Sequence, residues 1–201
     1  MIAIAARSPR FSRHLVLMLL LPILLSACGI NTIPTLEEQV NGAWAQVQNQ
    51  YQRRADLIPN LVETVKGFAQ QEQDVLTEVT EARARVGQMQ LPPDVLTDEE
   101  AFRRFEQSQA ELSGALSRLL VVVEQYPELR SNQNFLALQS QLEGTENRIA
   151  IARRDYVEAV QRYNTEVRTF PGRLWAMVYG AEPKVNFTAS PGAEQAPQVS
   201  F

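Results

Sequence analysis

The stretch RRADLIPNLVETVKG, residues 53–67, sets a proline inside what otherwise reads as a long amphipathic helix, with two arginines and an aspartate just before it. A seam of alternating three- and four-residue steps runs through it: Val40, Trp44, Val47, Tyr51, Arg54, Ile58, Leu61, Val65, Phe68, Glu72, Val75, Val79, Ala82 and Val86. Such steps keep one face of a 3.6-residue helix turned to a core. Because the phase persists across Pro59, the pattern predicts one helix over 36–87, kinked near Pro59, with a split into two helices as the alternative. An interior proline has no N–H to bond four residues back, so the Ala55 carbonyl is expected to lose its partner.

The remaining chain repeats the pattern. Thr97 and Glu100 have the spacing of a capping box and open a second helix, with a seam through Phe102, Phe105, Gln109, Leu112, Leu116, Leu119, Val123 and Tyr126, closed by Pro127. A third runs from about Ser131 to Phe170 along Phe135, Leu138, Leu142, Thr145, Ile149, Ala152, Tyr156, Ala159 and Tyr163, and the Pro-Gly pair at 171–172 stops it. RLWAMVY then predicts a short amphipathic helix whose Leu174, Trp175 and Val178 cap one end of a bundle. The closing ASPGAEQAPQVSF has no periodicity and predicts disorder. Glycines number 9 in 201 residues and no segment alternates with period two, so strands are not expected.

Three apolar stripes with short connections bury themselves against one another. The expected fold is all-α: an elongated up-and-down antiparallel bundle of three long helices, the first kinked at Pro59 or split to give four, plus a short C-terminal helix. The expected organisation is a signal peptide over 1–27, a lipid-anchored tether over 28–35, the bundle over 36–182 and a disordered tail over 183–201.

The start of the chain points to a membrane. Arg7, Arg10 and Arg13 precede the apolar run LVLMLLLPILL, and LSAC follows. Eleven apolar residues interrupted by a proline are short for ~30 Å of hydrocarbon at ~1.5 Å per residue. LSAC resembles a lipobox, in which Cys28, the single cysteine, becomes the lipidated first residue. Several acyl chains anchor durably where one binds marginally. Gly29 rather than aspartate after the cysteine favours the outer membrane under an enterobacterial-type sorting rule. The expected location is therefore the cell envelope, facing the periplasm.

Composition prunes the chemistry. Beyond residue 27 the chain holds 16 basic and 23 acidic residues, a formal charge of −7, so nucleic acid is not an expected partner. The sole histidine, His14, lies in the signal segment, which leaves the bundle without imidazole or unmodified thiol and removes the commonest general base and nucleophile pairs. No enzyme, metal or cofactor is expected. Most carboxylates, such as Glu81 with Arg85 and Glu158 with Arg162, have the i,i+4 spacing of solvated helical faces.

The informative polar residues are those on the seams, Arg54, Glu72, Gln109 and Thr145. A buried charge must be paired, and a polar layer fixes register between helices. Arg54 or Arg53, with nearby Asp56 and next to Pro59 and Asn60, is expected to meet Thr145, Glu146, Asn147 and Arg148 across the first and third helices; the alternative is that these long side chains snorkel to the rim.

Four segments, QRRADLIPNLVETVKGFAQQE, ALSRLLVVVEQYPELRSNQNFLALQ, EGTENRIAIARRDYVEAVQRYN and FPGRLWAMVYGAEP, resemble the LemA family in order and spacing over roughly residues 40–185. The resemblance implies an α-helical bundle at a bacterial membrane without an established enzymatic activity, and in a related branch an association with magnetosome membranes. The chain departs from the family in its lipobox, where members commonly carry a transmembrane helix, and in Gln70 and Gln71, where a histidine often precedes the glutamate. The expected role is a non-enzymatic interaction scaffold for envelope or membrane proteins; the alternative is a bundle that binds a small molecule, lipid or cell-wall fragment.

Overall fold

The computed structural model describes residues 29–69 and 71–188. Among them the chain is helical, in order α1 (Thr32–Lys66), α2 (Gln73–Gln88), α3 (Glu99–Val123), α4 (Pro127–Arg130), α5 (Gln133–Arg168) and α6 (Gly172–Tyr179). The all-α bundle read from the spacing is the fold. At ~1.5 Å per residue, the 36 residues of α5 make it ~54 Å long. The seams face inward: Val40, Trp44, Val47, Tyr51, Arg54, Ile58, Leu61 and Val65 of α1 are all buried, as are Phe102, Phe105, Gln109, Leu112, Leu116, Leu119 and Val123 of α3.

The first long element differs from its expected form. α1 passes through Pro59 without interruption and ends at Lys66; the chain then turns over 67–72 around the buried Ala69. α2 returns antiparallel, which brings Arg83 opposite Ala55. Of the two alternatives the split holds, but at 67–72 and not at the proline. Periodicity records which residues face a core and says nothing about whether the axis reverses. Here α2 lays Leu76, Val79 and Ala82 on the same core from a different side, while Phe68, on the projected seam, is exposed.

Element ends also shift. α1 begins at Thr32, so residues 32–35 of the expected tether are its first turn. Asp98, not Thr97, caps α3, its carboxylate accepting from the Glu100 and Ala101 N–H groups at 2.9 and 3.1 Å. Asn132 caps α5 in the same way. Residues 183–188, expected to be disordered, pack as part of a strap over 181–188. The Val185 N–H donates to the Leu96 carbonyl, the Tyr156 hydroxyl donates to the Val185 carbonyl, and Asn164 exchanges two hydrogen bonds with the backbone of Lys184. Phe187 closes an aromatic group with Trp44, Phe102 and Tyr156. The alternation of Val185 and Phe187 with polar neighbours is too short to stand out from loop sequence. The rest of the expected tail, and Cys28 with the signal segment, lie outside the described residues.

The core is divided in two. One part gathers the first half of α1, the start of α3, the second half of α5, Ala176 and the connection residues Val95 and Leu96. The other gathers the second half of α1, α2, the second half of α3, Leu129 and the first half of α5. Four helices thus surround the second core. Around the first, α2 has ended and the 89–98 connection and the strap take its place.

The capping expected of Leu174 and Val178 is not observed: both are exposed, and α6 meets the bundle through Gly172, Ala176 and the half-buried Trp175. Gly172 is required there, because a Cβ would collide with the backbone and side-chain oxygens of Glu166.

Burial raises the phenol of Tyr156 well above the ordinary value and pushes that of Tyr163 up to about 12, with Glu37 and Glu182 adding to the latter. The folded state therefore prefers both phenols protonated. That stabilisation is complete below the unfolded value of ~10 and is lost as pH climbs past it. The denaturant midpoint is expected to fall between pH ~10 and ~12, and Tyr156→Phe to blunt the fall; equal slopes for the two proteins would contradict this assignment.

Candidate functional site

Arg54 follows Tyr51 by three residues and precedes Ile58 by four, so helical geometry turns it inward with the apolar seam. It lies between the two cores and is 1 % exposed. All four terminal N–H groups of its guanidinium are used. Nη1 donates to Ser113 Oγ at 2.7 Å and to Glu146 Oε1 at 3.0 Å, and Nη2 donates to the Gln109 carbonyl at 3.2 Å and Gln109 Oε1 at 2.6 Å. The Tyr51 ring sits 5.0 Å below the guanidinium carbon. Nε is buried without an acceptor.

The neighbouring hydroxyls complete a polar layer. Ser113 Oγ donates onward to the Gln109 carbonyl, Ser108 Oγ to the Phe105 carbonyl, and Thr145 Oγ1 to the Gln141 carbonyl of its own helix. Arg54, Ser108, Gln109 and Thr145 are the buried polar residues of the described chain, and all belong to this level. The layer joins α1, α3 and α5 at the height where α2 ends.

A second arginine completes the region around Pro59. The Ala55 carbonyl, without its intrahelical donor, accepts from Arg83 Nε of α2 at 3.0 Å. Backbone carbonyls buried without a partner are rare because the desolvation goes uncompensated. Two adjacent residues of α1 are thus each held by another helix: Arg54 by α3 and α5, Ala55 by α2.

The other sequence-derived candidates fall elsewhere. Arg53 and Asp56 are exposed, and Asp56 accepts from Gln52 one turn back at 2.7 Å, so neither joins Arg54. Pro59, Asn60, Asn147 and Arg148 are exposed, whereas Glu146 is partly exposed and reaches in to Arg54. Thr145 is buried in the layer without bonding Arg54. Glu72 accepts from the Tyr126 hydroxyl at 2.9 Å, tying the turn after α1 to the end of α3. Sequence reasoning missed Ser113 and Arg83. Ser113 lies beside the seam rather than on it. Arg83 follows from the orphaned Ala55 carbonyl only once α2 is known to fold back.

Beside the layer, a cleft of about 420 Å³ is lined by Tyr51, Arg103, Glu106, Gln109, Glu146 and Arg153 among others. Arg153 pairs with Glu106 at 3.6 Å, and Glu106 accepts from the Thr188 N–H and hydroxyl of the strap. The available chemistry is hydrogen bonding and charge. Among the described residues no group of three or more His, Cys, Asp or Glu is placed to hold a metal, and no helix is long and apolar enough to cross a membrane.

A helical bundle with an internal arginine layer is the class these observations define. The LemA family model matches residues 43–201, and the chain belongs to the LemA family. The match contains every residue of the layer and runs past residue 185, beyond the segments that first carried the resemblance. The chain is also similar to magnetosome proteins MamQ 1 and MamQ 2 of Paramagnetospirillum magneticum, each 26% identical over 180 residues, covering 82% of this chain and 66% of the relative. MamQ of Magnetospirillum gryphiswaldense is 23% identical over the same coverage. The chain therefore spans slightly less than two thirds of these curated relatives' length.

If Arg83 serves the carbonyl that Pro59 orphans, the two are coupled. Arg83→Met is expected to lower stability by ~1–3 kcal/mol in the native sequence. It should matter much less in a Pro59→Ala background, where residue 59 regains its N–H. A double-mutant cycle by urea denaturation checks this; additive effects would mean that the carbonyl is not what Arg83 holds.

Proposed function

We propose that this chain is a cell-envelope lipoprotein, anchored through lipidated Cys28, whose bundle is a non-enzymatic scaffold for envelope or membrane proteins. The observation that carries the scaffold reading is the internal use of Arg54. A buried arginine beside a cleft invites a ligand-clamp interpretation, yet its four terminal donors are already bonded to Ser113, Gln109 and Glu146. A ligand taking any of them must break a bond that joins helices, which makes the layer a device for holding register. Family membership supports the membrane setting, and the magnetosome names of the relatives are consistent with it. The lipobox-like LSAC supports the anchor. Gly29 supports an outer-membrane destination facing the periplasm.

Wild-type protein is expected to fractionate with membranes in a form labelled by palmitate, and Cys28→Ala to lose the label and its normal membrane. Crosslinking in native membranes should recover the same protein neighbours from the bundle faces in replicate preparations. An unlabelled wild type would remove the lipid anchor. Absence of reproducible neighbours, together with a rise in melting temperature on adding a small molecule or cell-wall fragment that Arg54→Ala abolishes, would replace the scaffold by a ligand-binding bundle.

A further inference from the structure

α6 is amphipathic in the reverse sense. Its bundle face carries the small residues Gly172 and Ala176, while Leu174, Met177 and Val178, spaced i, i+3, i+4 on one stripe, are 55, 74 and 72 % exposed. Phe170, just ahead of the helix, is 81 % exposed, and Tyr179 at its end is also exposed. Among the described residues, half of the exposed large apolar side chains fall between 170 and 179, whereas Val121, Leu136 and Ile151 stand singly. Scattered apolar residues need no explanation; a cluster on one helix marks a contact.

The position of the cluster identifies its occupant. The Tyr179 hydroxyl donates to the Ile30 carbonyl at 3.0 Å, and Gly29 lies close against the Trp175 ring. Cys28 is one peptide bond from Gly29, about 3.8 Å between Cα atoms. The first described residues, Gly29 and Ile30, therefore lie at α6 itself. Charge agrees with a lipid surface: residues 168–181 contain Arg168 and Arg173 and no acid, although the chain as a whole is acidic. Both arginines are exposed, as suits cations that reach phosphates while their stems lie along apolar surface. Trp175 and Tyr179 are the residue types favoured at the headgroup boundary.

We propose that the outer face of α6, with Phe170, is a membrane-docking surface that beds into the boundary between lipid headgroups and acyl chains. Eight residues cannot span the bilayer; the helix lies in its plane and orients the bundle end-on to it. The proposal rests on the membrane-anchored reading for the nearness of a bilayer, but not on the acyl chains of Cys28. Docking adds a second contact beside the N-terminal attachment, which fixes the angle of the bundle and lifts its far end away from the surface.

The test places the photo-crosslinking residue p-benzoylphenylalanine at Met177 and, separately, at Val178 of the full chain in native membranes. Val121, exposed near the far end of α3, is the control. All three side chains point outward, so the substitutions leave the core intact. The expected result is a phospholipid mass added at 177 and at 178 and absent at 121. Adducts only with protein, including a second copy of this chain, no lipid adduct at 177 or 178, or equal lipid adducts at 121 would overturn the docking surface. Lipid adducts at 177 and 178 from a chain that proves unlabelled by palmitate would leave this surface standing and remove only the lipid anchor.

Discussion

One guanidinium, that of Arg54, sits where the apolar core stops and starts again. A lone buried cation is destabilising by several kcal/mol, so the surrounding helices have to supply its acceptors. They do so from two directions: α3 with Ser113 and both oxygens of Gln109, and α5 with Glu146. Glu146 is half in water, which weakens its share of the pairing. The directional bonds to α3 are therefore the tighter constraint. A slip of α3 by one turn would leave three of the four terminal guanidinium N–H groups buried without acceptors, and this is how a polar layer selects one register among several that an apolar seam would tolerate.

The layer falls at a change in cross-section. Below it four helices enclose a core that is aliphatic but for Phe135; above it three helices enclose Trp44, Phe102, Phe105 and Tyr156, with Phe187 of the strap against them. α1 and α5 pack closely along much of their length, while α3 stands further from both and the aromatic rings fill the wider space. Pro59 belongs to the same design. The carbonyl it frees is a fixed acceptor on α1, and Arg83 uses it to tie α2 to α1 just before α2 ends.

Much of this was legible in the residues. The seams named the buried faces of α1, α3 and α5, and three of the four polar residues on them, Arg54, Gln109 and Thr145, are buried in one layer. The reversal at 67–72 was not legible as such, because α2 presents an apolar stripe in phase with α1 by coincidence of spacing. Arg53 and Asp56 looked equivalent to Arg54 by proximity in the chain, yet a one- or two-residue step turns a helical side chain by ~100–200°, and both face water. The outward apolar stripe of α6 was misread as a cap, because the spacing of apolar residues shows that they share a face and not what covers it.

At the functional level, the fold gives its most distinctive polar group to internal register and its most exposed apolar group to the end where the N-terminal segment joins. The middle of the bundle thus sets its shape, and the α6 end leaves an apolar stripe uncovered. The register depends on Arg54 being locked inside the bundle, and nitrogen-15 NMR of the arginine side chains tests that most directly. Four separately resolved Nη protons, slow to exchange with water, are expected for Arg54; a single averaged, rapidly exchanging signal would contradict the locked layer.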